Sequence, residues 1–592
     1  MKLNVYNPTP YPRNEWVIFG SEAKTPHTFL SLPKSHLNVG KVLVPKSHIG
    51  EVNITTTEEP FKLNETILKN LMLGLSFYMM INGQKVVFGN TKTEVFDNRV
   101  VILKATAVHK NAITQLFVYI FNDQPTMRFE LCVYAQSLVE AIKPLKASFH
   151  FDGGAKVIIK VYNGDPENLL NESIGDSQGR RWSGVMGFWD ESFIPTQIQF
   201  VPEKTNTLFA QSTQPLYGLV KWTKWGLWGV KPPEFTQQEI NQQFFSSLGQ
   251  NYNNPFKWFG FIGNTYAGSA GNQSGFGPWQ TIHTVGGYSP ILLPLRDWQV
   301  GQEHCRPVSY FEENGERVKA KNHPGLVMWS QRINTRAGSN TLGRIHGSQG
   351  PGVGNWSGYD YQHDYSTCAH DNVILQGSFA MKDWLEGKNQ AYISGLTLPL
   401  TGRSARACLA LVYSYLATGN QEVIDHIADI FPKTKESARG LNNPAWKVRP
   451  SSTPGNFLPP NLAMLPYEEM KFVKGWDAVR LILAERPEAK QIEDMIYIVG
   501  STVVLHGYHP VTNKSPFVLR WNNGQPWSLQ QWNDPEWARG LGFSMYWSLP
   551  GIIITKRMAT QRKDQPVIDR ANTLINSVNK NNYEYKLYSG VQ

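Results

Sequence analysis

The fold class of the front half is indicated by three adjacent segments: Phe77-Tyr-Met-Met-Ile81, Asn82-Gly83 and Gln84-Lys-Val-Val-Phe88. Two short runs of strand-forming residues flank an Asn-Gly pair, which type I′ hairpin turns favour. This stretch predicts an antiparallel hairpin, and the spacing of the runs after it predicts a β-sandwich or barrel. Those further strand-like runs are Arg99–Ala105, Gln115–Phe121, Met127–Ala135, Lys146–Phe151 and Lys156–Tyr162.

The back half shows the helical period instead. Apolar residues recur at i, i+3, i+4, i+7, i+8 and i+11 from Ala405 to Leu416, and Gly419 is placed to end that helix. A second apolar stripe begins at Val423, which predicts an αα-hairpin with a short connection. Antiparallel helical pairs of this kind predict a bundle or a ring. The other predicted helices are Asn372–Glu386, Pro466–Ala484, Ala489–His506, Pro535–Trp547 and Val567–Val578.

The length of the chain predicts more than one domain. At 592 residues it exceeds the roughly 250–300 residues at which a single core stops growing. We expect an N-terminal β domain over residues 1–180 and a Gly/Trp-rich second β domain or layer over 181–305. The helical domain is expected over 306–592.

Composition narrows the functional classes. The net charge is +10, but the basic residues are dispersed, so nucleic acid is not favoured as a partner. No phosphate-binding loop, Rossmann glycine pattern or nucleophile elbow is present. The 19 Trp, 24 Tyr and 29 Phe residues suit a protein whose rings pack against sugars, and they also suit a large core.

Cysteine spacing and apolar runs bear on the compartment. Four cysteines lie far apart, which predicts free thiols with neither zinc nor a disulfide framework. The apolar run Trp547–Thr555 is too short to cross a membrane and contains Pro550 and Gly551. The first residues carry no apolar run of a secretory signal. The expectation is a cytoplasmic or virion-associated protein, such as a phage protein, without a membrane partner.

Segments between Pro290 and Gly419 resemble a known family. They are Tyr359-Asp-Tyr-Gln-His-Asp-Tyr365, Gly402-Arg403-Ser404-Ala405-Arg406 and Tyr415-Leu-Ala-Thr-Gly419-Asn420. Together they resemble the α/α-toroid carbohydrate enzymes, and most closely the exo-rhamnogalacturonan lyase-like proteins. The resemblance implies β domains in front, a C-terminal α/α toroid of helical hairpins, and action on a polysaccharide.

Lyase chemistry on a uronate polymer requires a base for the C5 proton, an acid for the C4 oxygen, and a cation for the carboxylate. Tyr361 and His363 are the predicted proton-transfer residues, and Arg403 is predicted to hold the carboxylate. Packing of these rings within the helical domain is the alternative. The predicted substrate-binding residues are Tyr359, His370, Arg344 and His346, with a second cluster of Tyr508, His509 and Trp521. That second cluster has its own alternative, an aromatic plug that seals the helices.

Three alternatives remain open. A glycoside hydrolase would need two carboxylates. The candidates are Asp360, Asp364, Asp371, Asp383 and Glu386, with Asp534 and Glu536 farther on. A non-enzymatic virion or adhesion protein could bind surface glycans, assembling with itself or with other virion subunits. His363, Asp364, His370 and Asp371 offer ligands for a hard cation such as calcium, but no compact metal motif is present, so no cofactor is predicted.

Overall fold

The structure of the chain is a computed structural model. It describes two sets of residues, one rich in strands and one rich in helices. The first set is 2–6, 13–20, 38–45, 49–55, 76–96, 100–121, 126–135, 144–152, 158–161, 165–173, 180–187, 199–200, 209–212, 327–328 and 358–359. The second set is 378–395, 399–401, 405–439, 463–520, 527–543 and 545–578.

The described part of the front half is built from antiparallel strands, as predicted. The first strands are β1 (Lys2–Tyr6), β2 (Arg13–Gly20), β3 (Asn38–Val44), β4 (Ile49–Thr55), β5 (Ser76–Ile81), β6 (Gln84–Val87), β7 (Gly89–Phe96), β8 (Val100–His109) and β9 (Ala112–Phe121). They are followed by β10 (Thr126–Ala135), β11 (Pro144–Asp152), β12 (Ile158–Val161), β13 (Leu170–Ser173), β14 (Arg180–Gly187), β15 (Gln199–Phe200) and β16 (Phe209–Ser212).

These strands form three sheets. The orders are β15-β1-β4-β3-β2-β16, β12-β14-β10-β9-β8-β7 and β13-β11-β5-β6. Short pairs follow in the chain: β17 (Val327–Met328) runs parallel to β18 (Gly358–Tyr359), and β19 (Ala463–Met464), β20 (Val518–Arg520) and β21 (Ala538–Arg539) form a small antiparallel sheet.

The predicted hairpin is confirmed at β5 and β6. Ile81 pairs with Gln84, and the turn residues Asn82 and Gly83 have φ of 50° and 79°. Two successive positive φ values define the type I′ turn, which asparagine and glycine adopt more readily than other residues.

The middle strands of the second sheet are buried on both faces. On β9, Leu116 and Val118 pack against the four-stranded sheet, whereas Phe117 and Tyr119 pack in the core shared with the helices. Successive side chains of a strand point to opposite faces, so one strand serves two cores. The second sheet is therefore the central layer of three, with a sheet on one side and helices on the other.

The described part of the back half is helical, as predicted. Its helices are α1 (Phe379–Gly395), α2 (Arg406–Thr418), α3 (Gln421–Arg439), α4 (Pro466–Ile482), α5 (Glu488–His506), α6 (Leu529–Asn533), α7 (Leu549–Arg562) and α8 (Gln565–Asn576). Gly419 has a φ of 71° and ends α2, as the sequence predicts. α4 lies at the centre and packs against α2, α5 and α7. Closure of these helices into a toroid stays a prediction.

Two predicted helices differ from the structure. α1 begins at Phe379, later than the predicted Asn372, and residues 372–377 lie outside the described residues. The predicted helix Pro535–Trp547 is wrong, because that stretch holds β21 and only a 3-10 turn at Met545–Trp547. The helix lies just beyond it, in α7.

The predicted domain boundary at residue 180 falls at the start of β14. β14 pairs with β10 and β12, so described strands on both sides of that boundary share one sheet. β15 and β16 likewise pair with β1 and β2 in the first sheet. The boundary at 305 lies outside the described residues, and the extents of the three domains stay predictions.

Two further observations concern cysteines and membranes. Cys132 and Cys408 are buried free thiols, and burial raises the pKa of Cys408 well above its usual range. Cys305 and Cys368 lie outside the described residues. No helix in the described ranges is both long and apolar enough to cross a bilayer.

Candidate functional site

The predicted catalytic segment runs between two described elements. Tyr359 ends β18, whose backbone pairs with Met328, and the chain is described again from Ser378, just before α1. Tyr361, His363 and His370 fall between these points and lie outside the described residues. The same holds for Arg403, Arg344 and His346. The described elements on either side of this segment are β18 and α1.

The N-terminus of α1 is held by side chains of the central sheet. The N–H of Phe379 donates to the hydroxyl of Tyr119 at 2.6 Å, and that of Ala380 donates to Oε2 of Glu130 at 3.2 Å. Within the helix, the N–H of Met381 donates to Oγ of Ser378 at 3.1 Å. The first N–H groups of a helix lack partners inside it and carry partial positive charge. A carboxylate from the sheet thus caps this helix.

Tyr119, Arg128 and Glu130 form one buried group, which we call the junction cluster. Tyr119 donates its hydroxyl proton to Oε2 of Glu130, and Arg128 Nη2 lies 3.2 Å from Oε1. The Arg128 guanidinium carbon lies 4.4 Å from the centroid of the Tyr119 ring. The side chains of Arg128 and Glu130 are 1% and 0% exposed. Buried charges are tolerated when they are paired and hydrogen-bonded, as these are.

The protonation of Tyr119 follows from its surroundings. Burial raises the pKa of Tyr119 well above its usual range, and the negative charge of Glu130 raises it further. The hydroxyl therefore stays protonated, donates to Glu130 and accepts from Phe379. This fixes the direction of each hydrogen bond at the start of α1.

A second polar link joins the same two layers. Lys104 on β8 donates to Oδ1 of Asp383 on α1 at 2.8 Å, with both side chains about one-fifth exposed. Asp383 was a carboxylate candidate for hydrolysis, and here it contacts Lys104 at the layer boundary. α1 is thus attached to the sheet at its first residues and again one turn later.

The second predicted cluster lies at the C-terminal end of α5. Tyr508 is 1% exposed and packs in the apolar core around α5, α7 and α8; burial raises its pKa above the usual range. Arg570 of α8 donates to the carbonyl oxygens of Tyr508 and His509 at 3.2 Å and 3.1 Å. Trp521 lies outside the described residues.

His509 is held by hydrogen bonds on both ring nitrogens. Its Nδ1 accepts the N–H groups of Val511 and Thr512, each at 3.1 Å, so Nε2 carries the proton that faces Oδ1 of Asn533 at 3.5 Å. The ring lies 5.7 Å from that of Trp532. The structure thus brings Tyr508 and His509 together as packed residues, and substrate binding by them stays a prediction.

Sequence reasoning missed a charged cluster on α4. Five of its charged residues are at most 7% exposed: Glu468, Glu469, Lys471, Lys474 and Asp477. The Lys471 ammonium lies 3.9 Å from the centroid of the Trp547 ring. None of the five is without a partner. A sequence signal could have revealed this cluster: apolar residues occupy every side of α4, so the helix has no polar face on which these charges could be exposed to solvent.

Metal ligands were also predicted as an alternative. Among the described residues, no three His, Cys, Asp or Glu side chains are grouped as they would be around a metal ion. The residues named for calcium, His363, Asp364, His370 and Asp371, lie outside that part of the chain. Calcium binding stays a prediction.

Comparisons with known proteins add no assignment. No protein-family model matches the chain, and no curated protein is similar to it.

Proposed function

We propose that this chain binds an acidic polysaccharide and cleaves it by β-elimination, with the chemistry carried by the segment from Tyr359 to His370. The observation that carries the proposal is that the two described elements flanking residues 360–377 are fixed to the rest of the fold. β18 packs against α1, and α1 begins at residues held by Tyr119 and Glu130. Catalytic groups are commonly presented on connecting segments held by a rigid scaffold.

The residue chemistry fits the reaction. Tyr361 or His363 takes the C5 proton, the C4–oxygen bond breaks, and a C4–C5 double bond forms as the leaving oxygen gains a proton. Arg403 holds the uronate carboxylate with its two-pronged guanidinium and stabilises the charge that develops next to C5. The net charge of +10 favours an anionic polymer over a neutral one.

The chain lengths allow His363 and Arg403 to lie near each other beside α1. α1 has 17 residues and is about 25 Å long. The chain between His363 and Ser378 can span about 50 Å when extended. His363 can therefore reach either end of α1. In the sequence Arg403 lies three residues before the start of α2, and α2 packs against α1.

The test is an assay of the purified chain against a panel of uronate polymers, following the ultraviolet absorbance of unsaturated ends. His363→Ala should lower turnover by roughly 10²–10⁴, the usual share of a general acid or base. Arg403→Ala should raise KM, whereas Arg403→Lys should recover part of the loss, because lysine keeps the charge but not the two-pronged contact.

Other products would identify the alternatives. New reducing ends without absorbance would indicate a glycoside hydrolase and overturn β-elimination. Binding without either product would indicate the adhesion or virion protein. Full activity of His363→Ala, with an unchanged unfolding midpoint, would remove His363 from the mechanism.

A further inference from the structure

The four-stranded sheet has an outward face that contributes nothing to the core. Phe77, Met79 and Phe149 point inward and are packed with the central sheet. The alternate residues of β5, β6 and β11 point the other way. We define the outer sheet face by Tyr78, Met80, Lys85, Lys146, Ser148 and His150.

Two rings lie side by side on this face. His150 stands opposite Tyr78 in the strand register, and the two rings stack with centroids 5.3 Å apart and planes 21° apart. Both side chains are partly exposed. Oγ of Ser148 lies 2.6 Å from Nε2 of His150, which fixes the imidazole next to the phenol. The pair forms a fixed aromatic patch that is partly open to solvent.

Cations border the rings. The Lys85 ammonium lies 4.3 Å from the centroid of the Tyr78 ring and reaches across it to form an ion pair with Asp152. Lys85 is 44% exposed and Asp152 58%. Lys146 is exposed on β11, two outward positions from His150 and beyond Ser148. Asp152 is the one carboxylate among the outward residues of β5, β6 and β11.

We propose that the outer sheet face is a non-catalytic binding surface for a uronate-containing polysaccharide. C–H groups of a sugar contact the solvent-exposed edges of the Tyr78 and His150 rings, the carboxylate of that sugar binds Lys85, and the carboxylate of a neighbouring sugar binds Lys146. Exposed ion pairs are weak, so a sugar carboxylate replaces Asp152 at Lys85 at little cost. The inference rests on the proposed acidic polysaccharide substrate, but it concerns residues distant in sequence from the predicted catalytic segment.

The experiment measures binding of the full chain to polygalacturonate, with neutral dextran and dextran sulfate as comparison polymers. Tyr78→Ala should weaken binding about 10-fold, as loss of a central aromatic contact does, and Tyr78→Phe should retain most of it. Lys146→Ala should weaken binding several-fold and Lys514→Ala, which removes an exposed lysine elsewhere, should not.

Asp152→Asn should change the affinity for polygalacturonate in the opposite direction. It removes the carboxylate that competes for Lys85, so binding should become tighter. This variant and Lys146→Ala alter exposed residues, so the test stands even if Tyr78→Ala fails to fold. Unchanged affinity in Asp152→Asn and Lys146→Ala would overturn the inference. Equal binding of dextran sulfate and polygalacturonate would overturn it too, because it would show only a general attraction for polyanions.

The two proposals fail in different ways. If the wild-type chain binds no uronate polymer, the proposed function fails and this inference fails with it. If the chain binds and cleaves the polymer but the sheet variants behave as wild type, only the sheet surface is wrong. His363→Ala should lower cleavage while leaving binding at the outer sheet face intact.

Discussion

Two places in this molecule combine a tyrosine, a cation and a carboxylate, and their environments are opposite. In the junction cluster, Arg128 lies over the Tyr119 ring and pairs with Glu130, and the side chains are closed off from water. Each group also has a fixed hydrogen-bond role, since Tyr119 and Glu130 accept the first N–H groups of α1.

The outer sheet face repeats the same chemistry in contact with solvent. Lys85 lies over the Tyr78 ring at 4.3 Å and pairs with Asp152. Both charged side chains are about half exposed. Water competes for these charges, so the ion pair contributes little to stability and its members can exchange partners.

The comparison indicates that burial, and not residue type, determines whether such a group of side chains stabilises the fold or is available to a ligand. Desolvated charges interact strongly and are costly to leave unpaired, so the junction cluster is suited to holding the sheet and α1 together. The same groups in water are interchangeable with those of a ligand. Four predictions test this contrast.

The largest expected effect is at the centre of the junction cluster. Glu130→Ala leaves Arg128 buried without its carboxylate and removes the acceptor of the Ala380 N–H. Loss of one partner of a buried pair costs about 3–5 kcal/mol. The measurement is the free energy of unfolding in urea, followed by circular dichroism. A loss below about 1 kcal/mol would contradict the structural role assigned to burial.

The next effect concerns a single hydroxyl. Tyr119→Phe leaves the N–H of Phe379 without its acceptor in a buried position, which costs about 1–3 kcal/mol. Tyr78→Phe is the matched control, because its partly exposed hydroxyl can be replaced by water. Equal losses in the two variants, measured by the same unfolding experiment, would remove the contrast.

The pH dependence of stability gives a third test. Burial raises the pKa of Tyr119 in the folded chain above its value of about 10 in the unfolded chain. Its contribution is therefore complete below about pH 10 and is lost as the pH rises toward the higher folded value. The urea midpoint should fall above about pH 10, and less steeply in Tyr119→Phe. An equal fall of the urea midpoint with pH in wild type and in Tyr119→Phe would contradict this prediction.

The smallest effect is expected at the exposed pair. Lys85→Met and Asp152→Asn should each leave the urea midpoint unchanged, because exposed ion pairs often contribute nothing measurable. Added salt should likewise not separate the variants from wild type in stability. A loss as large as that of Glu130→Ala would mean that the outer sheet face is structural.

Local sequence was sufficient where local geometry fixes the chain. Asn82-Gly83 predicted the type I′ hairpin, and Gly419 predicted the end of α2. Both predictions succeeded because the ability to adopt a positive φ depends on the residue type itself. Sequence reasoning did not predict α7, which contains Pro550 and Gly551. Proline is accommodated in the first helical turn, and a Cβ on Gly551 would lie 2.4 Å from the Met470 carbonyl oxygen. Gly551 allows close packing on α4.

The candidate site divides in the same way. The residue types of Tyr361, His363 and Arg403 predict uronate chemistry, and their grouping stays a prediction. Of the second cluster, Tyr508 and His509 lie together in a packed core. Sequence cannot distinguish a ring that packs from a ring that binds, because both are aromatic and both follow a helix.

The sequence by itself determined the antiparallel front half, the helical back half, the Asn-Gly hairpin and the end of α2, since each depends on residues close in the chain. The tertiary structure decided that α1 starts where Tyr119 and Glu130 accept its first N–H groups, although about 250 positions separate Glu130 from Ala380. It also decided which tyrosine, cation and carboxylate are buried. The type of each residue fixes its charge and ring chemistry, but the exclusion of water from that residue depends on all the elements that pack around it.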